Sequence, residues 1–231
     1  MSKILIFTAT YNEIENIEKL VTEVNKYCGD AEILIIDDNS PDGTGALLKN
    51  LEIQVKNLKV IIREGKLGLD TAHKLAFDYC KKNNYDKLIT MDADFSHEPK
   101  EIQKFISLLD KNNFIIGSRY IKGGKCEMTW YRLLLSFFGN KLIRLVLNIR
   151  CNEFTTSFRG FNLKKLHSFD MNKISSKGYS FFMETVFQIH KIAHIKEIPI
   201  HFKNRKFGKS KIPKAEILRT LKNLFYLKFF K

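Results

Sequence analysis

The chain has 231 residues, 44% hydrophobic and 28% charged, a globular composition long enough for one sizeable core. Its formal net charge of +14, from 39 Lys and Arg against 25 Asp and Glu, points to a polyanionic partner: nucleic acid, phosphorylated substrate or anionic membrane. Four scattered cysteines, Cys28, Cys80, Cys126 and Cys151, give neither a zinc signature nor a disulfide framework, which favours a reducing compartment. The first residues enter a strand without a signal-peptide pattern, and no run of about 18 apolar residues offers a membrane span.

Lys3 to Thr8 is a continuous apolar run, as a strand covered on both faces requires. A loop at Thr10-Tyr11-Asn12-Glu13 leads to a helix with Ile14, Ile17, Leu20, Val21 and Val24 at helical spacing. A second buried strand, Glu32 to Ile36, ends in the turn sequence Asp37-Asp38-Asn39-Ser40-Pro41-Asp42-Gly43. A helix through Leu47, Leu48 and Leu51 precedes a third strand, Leu58 to Ile62. After Arg63-Glu64-Gly65-Lys66-Leu67-Gly68 a further helix runs through Ala72, Leu75, Ala76 and Tyr79. The fourth strand, Lys87 to Met91, opens into Asp92-Ala93-Asp94-Phe95-Ser96-His97-Glu98-Pro99, and Pro99 starts a helix with Ile102, Phe105, Ile106 and Leu109 on one face. A fifth strand, Phe114 to Gly117, ends at Ser118-Arg119.

Strands alternating with amphipathic helices predict a mostly parallel α/β sheet with helices on both faces. Polar clusters recur at successive strand ends: Glu13, Asp37 and Asp38, Arg63, Asp92 and Asp94, Arg119. Parallel strands bring those ends to one edge, where open α/β sheets bind ligands. A lone Asp-x-Asp is a weak signal, equally the mark of a solvated turn. At a strand end, the period of two aims both carboxylates the same way. Such hard oxygen ligands suit Mg²⁺ or Mn²⁺, which take one or two carboxylates together with substrate phosphates.

The second half is less regular. Residues 128 to 149 predict an amphipathic helix, interrupted by Arg132, Lys141 and Arg144, which suits a membrane surface and not a span. Phe154 to Phe161 reads as a strand, Tyr179 to Ile192 as a helix containing Glu184, and Ile195 to Phe202 as a strand. Asn204 to Lys211 is a basic, Gly-containing loop. Residues 203 to 231 hold ten Lys or Arg and one acid, Glu216. From Lys214 the tail is expected to be helical, with Ile217, Leu218, Leu221, Leu224 and Phe225 on one face. The chain therefore divides into a catalytic domain over 1–212 and an amphipathic basic helix over 213–231.

These segments together resemble the family 2 inverting glycosyltransferases of GT-A fold, above all the polyprenyl-phosphate (dolichol-phosphate) mannosyltransferases. The matching stretches are TYNE from Thr10, IIDDNSPDGT from Ile35, REGKLGL from Arg63, MDADFSHEP from Met91, GSRYIKGG from Gly117, WYR from Trp130, TSFRGF from Thr156 and RKFGKSK from Arg205. They run in family order over nearly the whole catalytic length, so the set is specific where each motif alone is weak. The resemblance implies transfer of a sugar, mannose from GDP-mannose foremost, to a polyprenyl phosphate. It also implies that Ala9, Tyr11, Glu13, Asp37, Asp38, Lys66 and Ala93 border the nucleotide sugar. Asp92 and Asp94 would hold Mg²⁺ or Mn²⁺ on its diphosphate, with Ser96 standing where some members have a Gln metal ligand. Arg119, Arg132 and Ser136 would meet the lipid phosphate, and Arg205 and Lys211 would close over the phosphates. Asp92, Asp94, Arg119 and Arg205 are the expected catalytic set. The implied partners are the donor, the lipid acceptor, a membrane surface at its cytoplasmic face and a membrane-anchoring protein.

Ala9 departs from the family's Pro, Asp70 from a Gly, and Glu153 and Thr156 from an Asp and a Gly before the Phe158-Arg159 pair. A phosphate monoester is already anionic at neutral pH, its second pKa lying near about 6, so a phosphate acceptor needs cationic positioning and not a strong base. A sugar hydroxyl needs a base. Glu153 keeps open a hydroxyl-directed transferase, and the departures as a set leave open a UDP-sugar donor such as UDP-glucose. A nucleic-acid-binding module fits the net charge but not the acidic strand-end cluster, which repels phosphates unless a metal intervenes.

Overall fold

The computed structural model describes residues 2–205 and 214–231. The chain begins β1 (Ile4–Thr10), α1 (Ile14–Cys28), β2 (Glu32–Asp37), α2 (Thr44–Gln54), β3 (Leu58–Ile62), α3 (Leu69–Lys82) and β4 (Lys87–Asp92). A 3-10 turn at Pro99–Glu101 opens α4 (Ile102–Leu109), followed by β5 (Phe114–Ser118), β6 (Lys125–Cys126), α5 (Trp130–Leu147) and β7 (Arg159–Asn162). The chain then forms α6 (Tyr179–His190), β8 (Ile195–Pro199), β9 (His201–Phe202) and α7 (Lys214–Phe230).

Seven strands form one sheet in the order β3-β2-β1-β4-β7-β5-β8, and β6 pairs with β9 in a small separate ribbon. All pairings in the large sheet are parallel except those of β7, which runs antiparallel between β4 and β5. Alternation along β1 shows how the layers form. Leu5 and Phe7 point into a core shared with α3, α5, α6 and α7, while Ile6 points into a second core with α1, α2 and α4. Each such fully buried aliphatic or aromatic side chain stabilises the fold by about 1.5–3 kcal/mol.

Three expectations change in detail. The strand expected over Phe154 to Phe161 begins only at Arg159, because residues 154–158 turn across the sheet edge. There the Arg159 guanidinium, 1% exposed, donates to the carbonyl oxygens of Thr156, Phe154 and Phe182 at 2.8–2.9 Å. The strand expected over Ile195 to Phe202 is divided at Ile200, and its second part turns away to pair with β6. On α7 the buried residues are Leu224 and Leu227, which sit in the core with Phe181 and Met183 of α6 and Ile143 and Leu147 of α5. Ile217, Leu218 and Phe225 of the expected stripe are exposed. The i, i+3 pair that meets α5 and α6 sets the inward face.

Registers align Thr10 with Asp37 and Ala9 with Asp92, so β1, β2 and β4 end side by side. Close approach at Gly117, just before Ser118-Arg119, tightens the same edge: a Cβ there would lie 2.8 Å from the Ile200 side chain and 3.2 Å from Phe105. Gly117→Ala is expected to lower stability by about 1–3 kcal/mol in urea denaturation, the cost of overpacking a closed core. Gly65→Ala, with open space around the new methyl, is expected to leave the midpoint nearly unchanged.

Candidate active site

The carboxyl edge of the sheet concentrates acids, and each is held by a different partner. Asp37, at the end of β2, is fully buried and accepts hydrogen bonds from Thr10 Oγ1 (2.8 Å), Ser40 Oγ (2.6 Å) and the Ser40 amide (2.9 Å). Its oxygens are spent on tying β1 to the β2 turn. Asp38 receives Arg63 Nε at 2.5 Å and the Gly68 amide at 3.0 Å, and Arg63 also donates to Thr71 Oγ1 and the Gly68 carbonyl. The 63–68 loop is thereby folded against the end of β2. Beside it Lys66 Nζ lies 3.9 Å from the ring centroid of Tyr11, a cation–π pair. Ala9 near the end of β1 and the buried Ala93 just after β4 are small residues at the same edge.

Beyond β4 the chain makes a tight loop in which Phe95 takes a left-handed backbone (φ 63°), a costly conformation for a bulky residue and one that clusters at functional sites. The loop is stitched from within. Ser96 donates through its amide (3.0 Å) and hydroxyl (2.6 Å) to Asp94 Oδ1. His97 is buried between Phe158 and Phe202; its Nδ1 accepts the Asp92 amide at 3.2 Å and its Nε2 meets Thr156 Oγ1 at 3.3 Å. Burial, outweighing the nearby carboxylates, holds the His97 pKa below its ordinary value, so the ring is neutral at pH 7. From the 154–158 turn, Ser157 Oγ donates to Asp92 Oδ1 at 2.5 Å. Burial and the adjacent Asp94 charge push the Asp92 pKa up, against the pull of His97 and Ser157. Burial also opposes ionisation of Asp94, but the Ser96 hydrogen bonds and the Arg205 charge outweigh it and hold Asp94 low.

Arg205 lies across the site. Its Nε is 2.7 Å from Asp94 Oδ2 and its Nη1 is 3.8 Å from Glu13 Oε1. Glu13, otherwise bonded by Asn16 Nδ2 at 2.7 Å, has its pKa raised by burial. Lys203, two residues before Arg205, is anchored by its amide to the Ser96 carbonyl (3.0 Å) and by its ammonium to Glu98, so the segment leading to Arg205 is fixed to the Asp loop.

On the other flank Arg119 donates to both oxygens of Glu153, Nε at 2.7 Å and Nη2 at 2.8 Å, and Nη2 also reaches Thr155 Oγ1 at 2.9 Å. Its guanidinium lies 5.0 Å from the rings of Tyr120 and Phe202. Glu153 is fully buried; burial works against its charge, but Arg119 more than compensates and keeps its pKa below the usual 4.5. Tyr120 Oη donates to Ser136 Oγ at 2.6 Å, so Ser136 on α5 sits one residue from this ion pair. Arg132 lies one turn before Ser136 on the same helix. Lys211 lies outside the described residues. Sequence reasoning had not singled out Ser157 and His97, which position Asp92. It had also passed over Tyr179 at the start of α6, whose phenol pKa is raised by burial and by the Asp92 charge. The only sequence signal for Ser157 and His97 was their place inside matched motifs; Tyr179 lies outside every matched stretch and had no such signal.

The donor set fits a divalent cation with two protein ligands. Asp92 Oδ2 faces the His97 ring at 3.7 Å, and Asp94 Oδ2 already holds a cation, the Arg205 guanidinium. Among the described residues no cluster of three or more His, Cys, Asp or Glu forms a self-sufficient metal site. An ion held by Asp92 and Asp94 would therefore draw its remaining ligands from a substrate diphosphate and water, the usual arrangement for Mg²⁺ and its congeners. Ser96 donates its amide and hydroxyl to Asp94 Oδ1 and so orients that carboxylate.

Residues 5–169 match the family described as glycosyl transferase family 2. Among curated proteins the chain is 35% identical over 221 residues to polyprenol monophosphomannose synthase of Mycolicibacterium smegmatis, covering 94% of this chain and 83% of that protein. It is 31% identical over 213 residues to undecaprenyl-phosphate mannosyltransferase of Micrococcus luteus, covering 91% and 87%. Among solved structures it resembles glucosyl-3-phosphoglycerate synthase of Mycobacterium tuberculosis in complex with Mn²⁺, UDP and glucosyl-3-phosphoglycerate. The TM-score is 0.68 at 15% identity, over 98% of this chain and 80% of that one, a likeness of GT-A fold.

The Arg119–Glu153 pair yields a direct prediction. Glu153 has its folded pKa depressed, so the stabilisation it contributes is present above pH 4.5 and is lost as pH falls through the folded value. Glu153→Gln leaves a buried guanidinium without its counter-charge and is expected to cost about 3–5 kcal/mol near neutral pH. Urea denaturation is expected to show that difference shrinking below pH 4.5.

Proposed function

The chain belongs to glycosyl transferase family 2, and from that membership we propose that it transfers mannose from GDP-mannose to the phosphate of a polyprenyl lipid, with inversion at the anomeric carbon. The reading of the acceptor is supported by two relatives, each aligned over more than nine-tenths of this chain, whose names specify polyprenyl monophosphate products or acceptors. The observation that carries it is the state of Glu153. The acid that would serve a hydroxyl acceptor as base has both oxygens committed to Arg119 and is held ionised at low pKa. A weak, fully engaged base suits an acceptor that arrives already deprotonated, as a phosphate monoester does.

In this reaction an oxygen of the acceptor phosphate forms a bond to the anomeric carbon while the bond from that carbon to the nucleoside diphosphate breaks. The diphosphate leaves with the electron pair and no proton need move. Tyr11 and Lys66 frame the base, and Asp38, stiffened by Arg63, borders the ribose. Asp92 and Asp94 would hold Mg²⁺ or Mn²⁺, which supplies Lewis-acid stabilisation of the departing diphosphate when bound. Arg205 lies within reach of the same oxygens and adds a forked cationic contact. Arg132 and Ser136 on α5 stand where the acceptor phosphate approaches, beside the Arg119 pair. Mn²⁺ with UDP in the structural neighbour supports a divalent ion in this fold.

A membrane surface follows from the acceptor, because a long prenyl chain remains in the bilayer. No helix among the described residues is long and apolar enough to cross a membrane. Apolar side chains instead stand exposed along α5 (Trp130, Leu135, Phe138, Leu145) and α7 (Leu218, Phe229, Phe230), the pattern of helices lying at an interface.

Labelled GDP-mannose and UDP-glucose, each offered polyprenyl phosphate or a saccharide, test the reading. Mannosyl lipid from the first pair is expected; a saccharide product alone would overturn it. Asp94→Asn is expected to lower turnover by about two orders of magnitude or more with the fold retained, the scale of losing transition-state charge stabilisation. Full activity in excess EDTA would remove the metal from the reading.

A further inference from the structure

Along α5 the exposed side chains occupy one broad arc. Leu134, Phe138, Leu142 and Leu145 follow one another at helical spacing, while Asn140, Ile143 and Leu147 face the protein. Lys141 and Arg144 interrupt the apolar arc on the edge that carries Phe137. That edge borders a cavity of about 210 Å³, walled on the helix side by Phe137, Lys141, Arg144 and Leu145 and on the other by Tyr120 and Asn152. Asn140 at its floor has its amide committed, donating to the Ser136 carbonyl and accepting the Phe154 amide. Arg144 Nη1 donates to Asn152 Oδ1, and Asn152 is itself held by Glu197 Oε2 at 2.8 Å. Arg144 thus rests on a neutral amide, and among the described residues neither Lys141 nor Arg144 forms an ion pair with a carboxylate.

We propose that this groove is the seat of an anionic phospholipid headgroup, distinct from the acceptor phosphate. Lys141 and Arg144 would take the phosphodiester, and Phe137 and Leu145 would cover the start of the acyl chains. The argument is one of complementarity. The groove is mostly apolar, its charge is positive and lies on the rim, and the adjoining arc presents hydrocarbon-facing side chains. A soluble anion would use the cations but leave the apolar arc in water; a neutral lipid would leave the cations unpartnered. The consequence for the enzyme is orientation. Tyr120 joins the groove to Arg119 on one side and Ser136 on the other, so a lipid bound there would set the acceptor flank of the site at headgroup depth. This inference rests on the reading that the acceptor is embedded in a bilayer.

The test uses the full chain and vesicle flotation, with phosphatidylcholine alone or mixed with phosphatidylglycerol, and no donor present. The double variant Lys141→Gln, Arg144→Gln is compared with Lys19→Gln, Lys111→Gln, which removes the same charge from exposed positions elsewhere. Thermal melts confirm that both fold. The phosphatidylglycerol-dependent gain in binding is expected to fall by roughly 30-fold in the groove variant, the worth of two cations at an anionic surface, and by less than about threefold in the control. Equal losses in the two variants would reduce the effect to general electrostatics and overturn the proposal. It would be overturned too by wild-type binding that ignores phosphatidylglycerol. A third overturning result is a groove-dependent gain from polyprenyl phosphate and none from phosphatidylglycerol, which would give the groove to the acceptor. Transfer to a short-chain prenyl phosphate in detergent, measured alongside, keeps failure of this proposal separate from failure of the functional reading.

Discussion

The constraint on which the rest of this structure depends is electrostatic: a parallel sheet edge that gathers Glu13, Asp37, Asp38, Asp92 and Asp94 within one concavity. Parallel pairing in register makes the crowding unavoidable, since Thr10 lies beside Asp37 and Ala9 beside Asp92. Unpaired, such buried carboxylates would protonate or pull the loops apart. The protein divides the problem by role. Asp37 is satisfied by hydroxyl and amide donors, Asp38 is paired with a buried arginine, and Asp94 is held by Ser96 and Arg205. Asp92, in the crowded cleft but with 38% of its side chain open to solvent, keeps the least committed oxygen. Asp37 and Asp38 spend their oxygens on joining strand ends and loops, whereas Asp92 keeps an oxygen free of strong donors.

A second consequence follows for β7. Inserting an antiparallel strand between β4 and β5 brings the 153–158 segment over the same edge from the opposite direction. That single topological step delivers Ser157 to Asp92, Thr156 to His97 and Glu153 to Arg119. Arg159 makes the step possible. Burial pulls its pKa down to about 9, still well above neutrality, so it stays a cation and uses its donors on the Phe154 and Thr156 carbonyls of the turn and on the Phe182 carbonyl of α6. Backbone geometry around Glu153 and Ser157 is therefore set in part by the buried Arg159 side chain.

Much of this was legible before any coordinates. The apolar runs named the five successive strands in the first half, and their polar ends named the edge where a site would form. What sequence could not convey was pairing across long separations. Arg119 and Glu153 are 34 residues apart, and Ser157 and Asp92 are 65 apart; nothing local in either segment specifies the partner. The four-residue β7 is too short for a clear period, and its antiparallel direction is dictated by the space between β4 and β5 and not by its own residues. The two-residue strands β6 and β9 carry no pattern at all. On α7 the composition offered apolar residues on several faces, so helical spacing alone could not choose between them.

That ambiguity on α7 has a physical resolution. Leu224 and Leu227 enter the core beside α5 and α6, while near the start of the helix Glu216 reaches back to accept the Tyr179 amide at 2.9 Å, occupying the first turn of α6. Gly178 just before it has φ +60°, a backbone that favours glycine, and a Cβ there would displace the Glu216 carboxylate from this position. A carboxylate at a helix N-terminus is favoured by the helix dipole and satisfies an amide that has no intrahelical partner. The helix is thus fastened near its start by Glu216, in its second half by Leu224 and Leu227, and just past its end by the Lys231–Glu184 ion pair, all three involving α6. Apolar residues such as Leu218, Phe225, Phe229 and Phe230 are left on the outside because these contacts fix its rotation. The exposed residues of α7 are then a geometric result of how the inner face is held, and they add to the apolar surface that α5 presents independently.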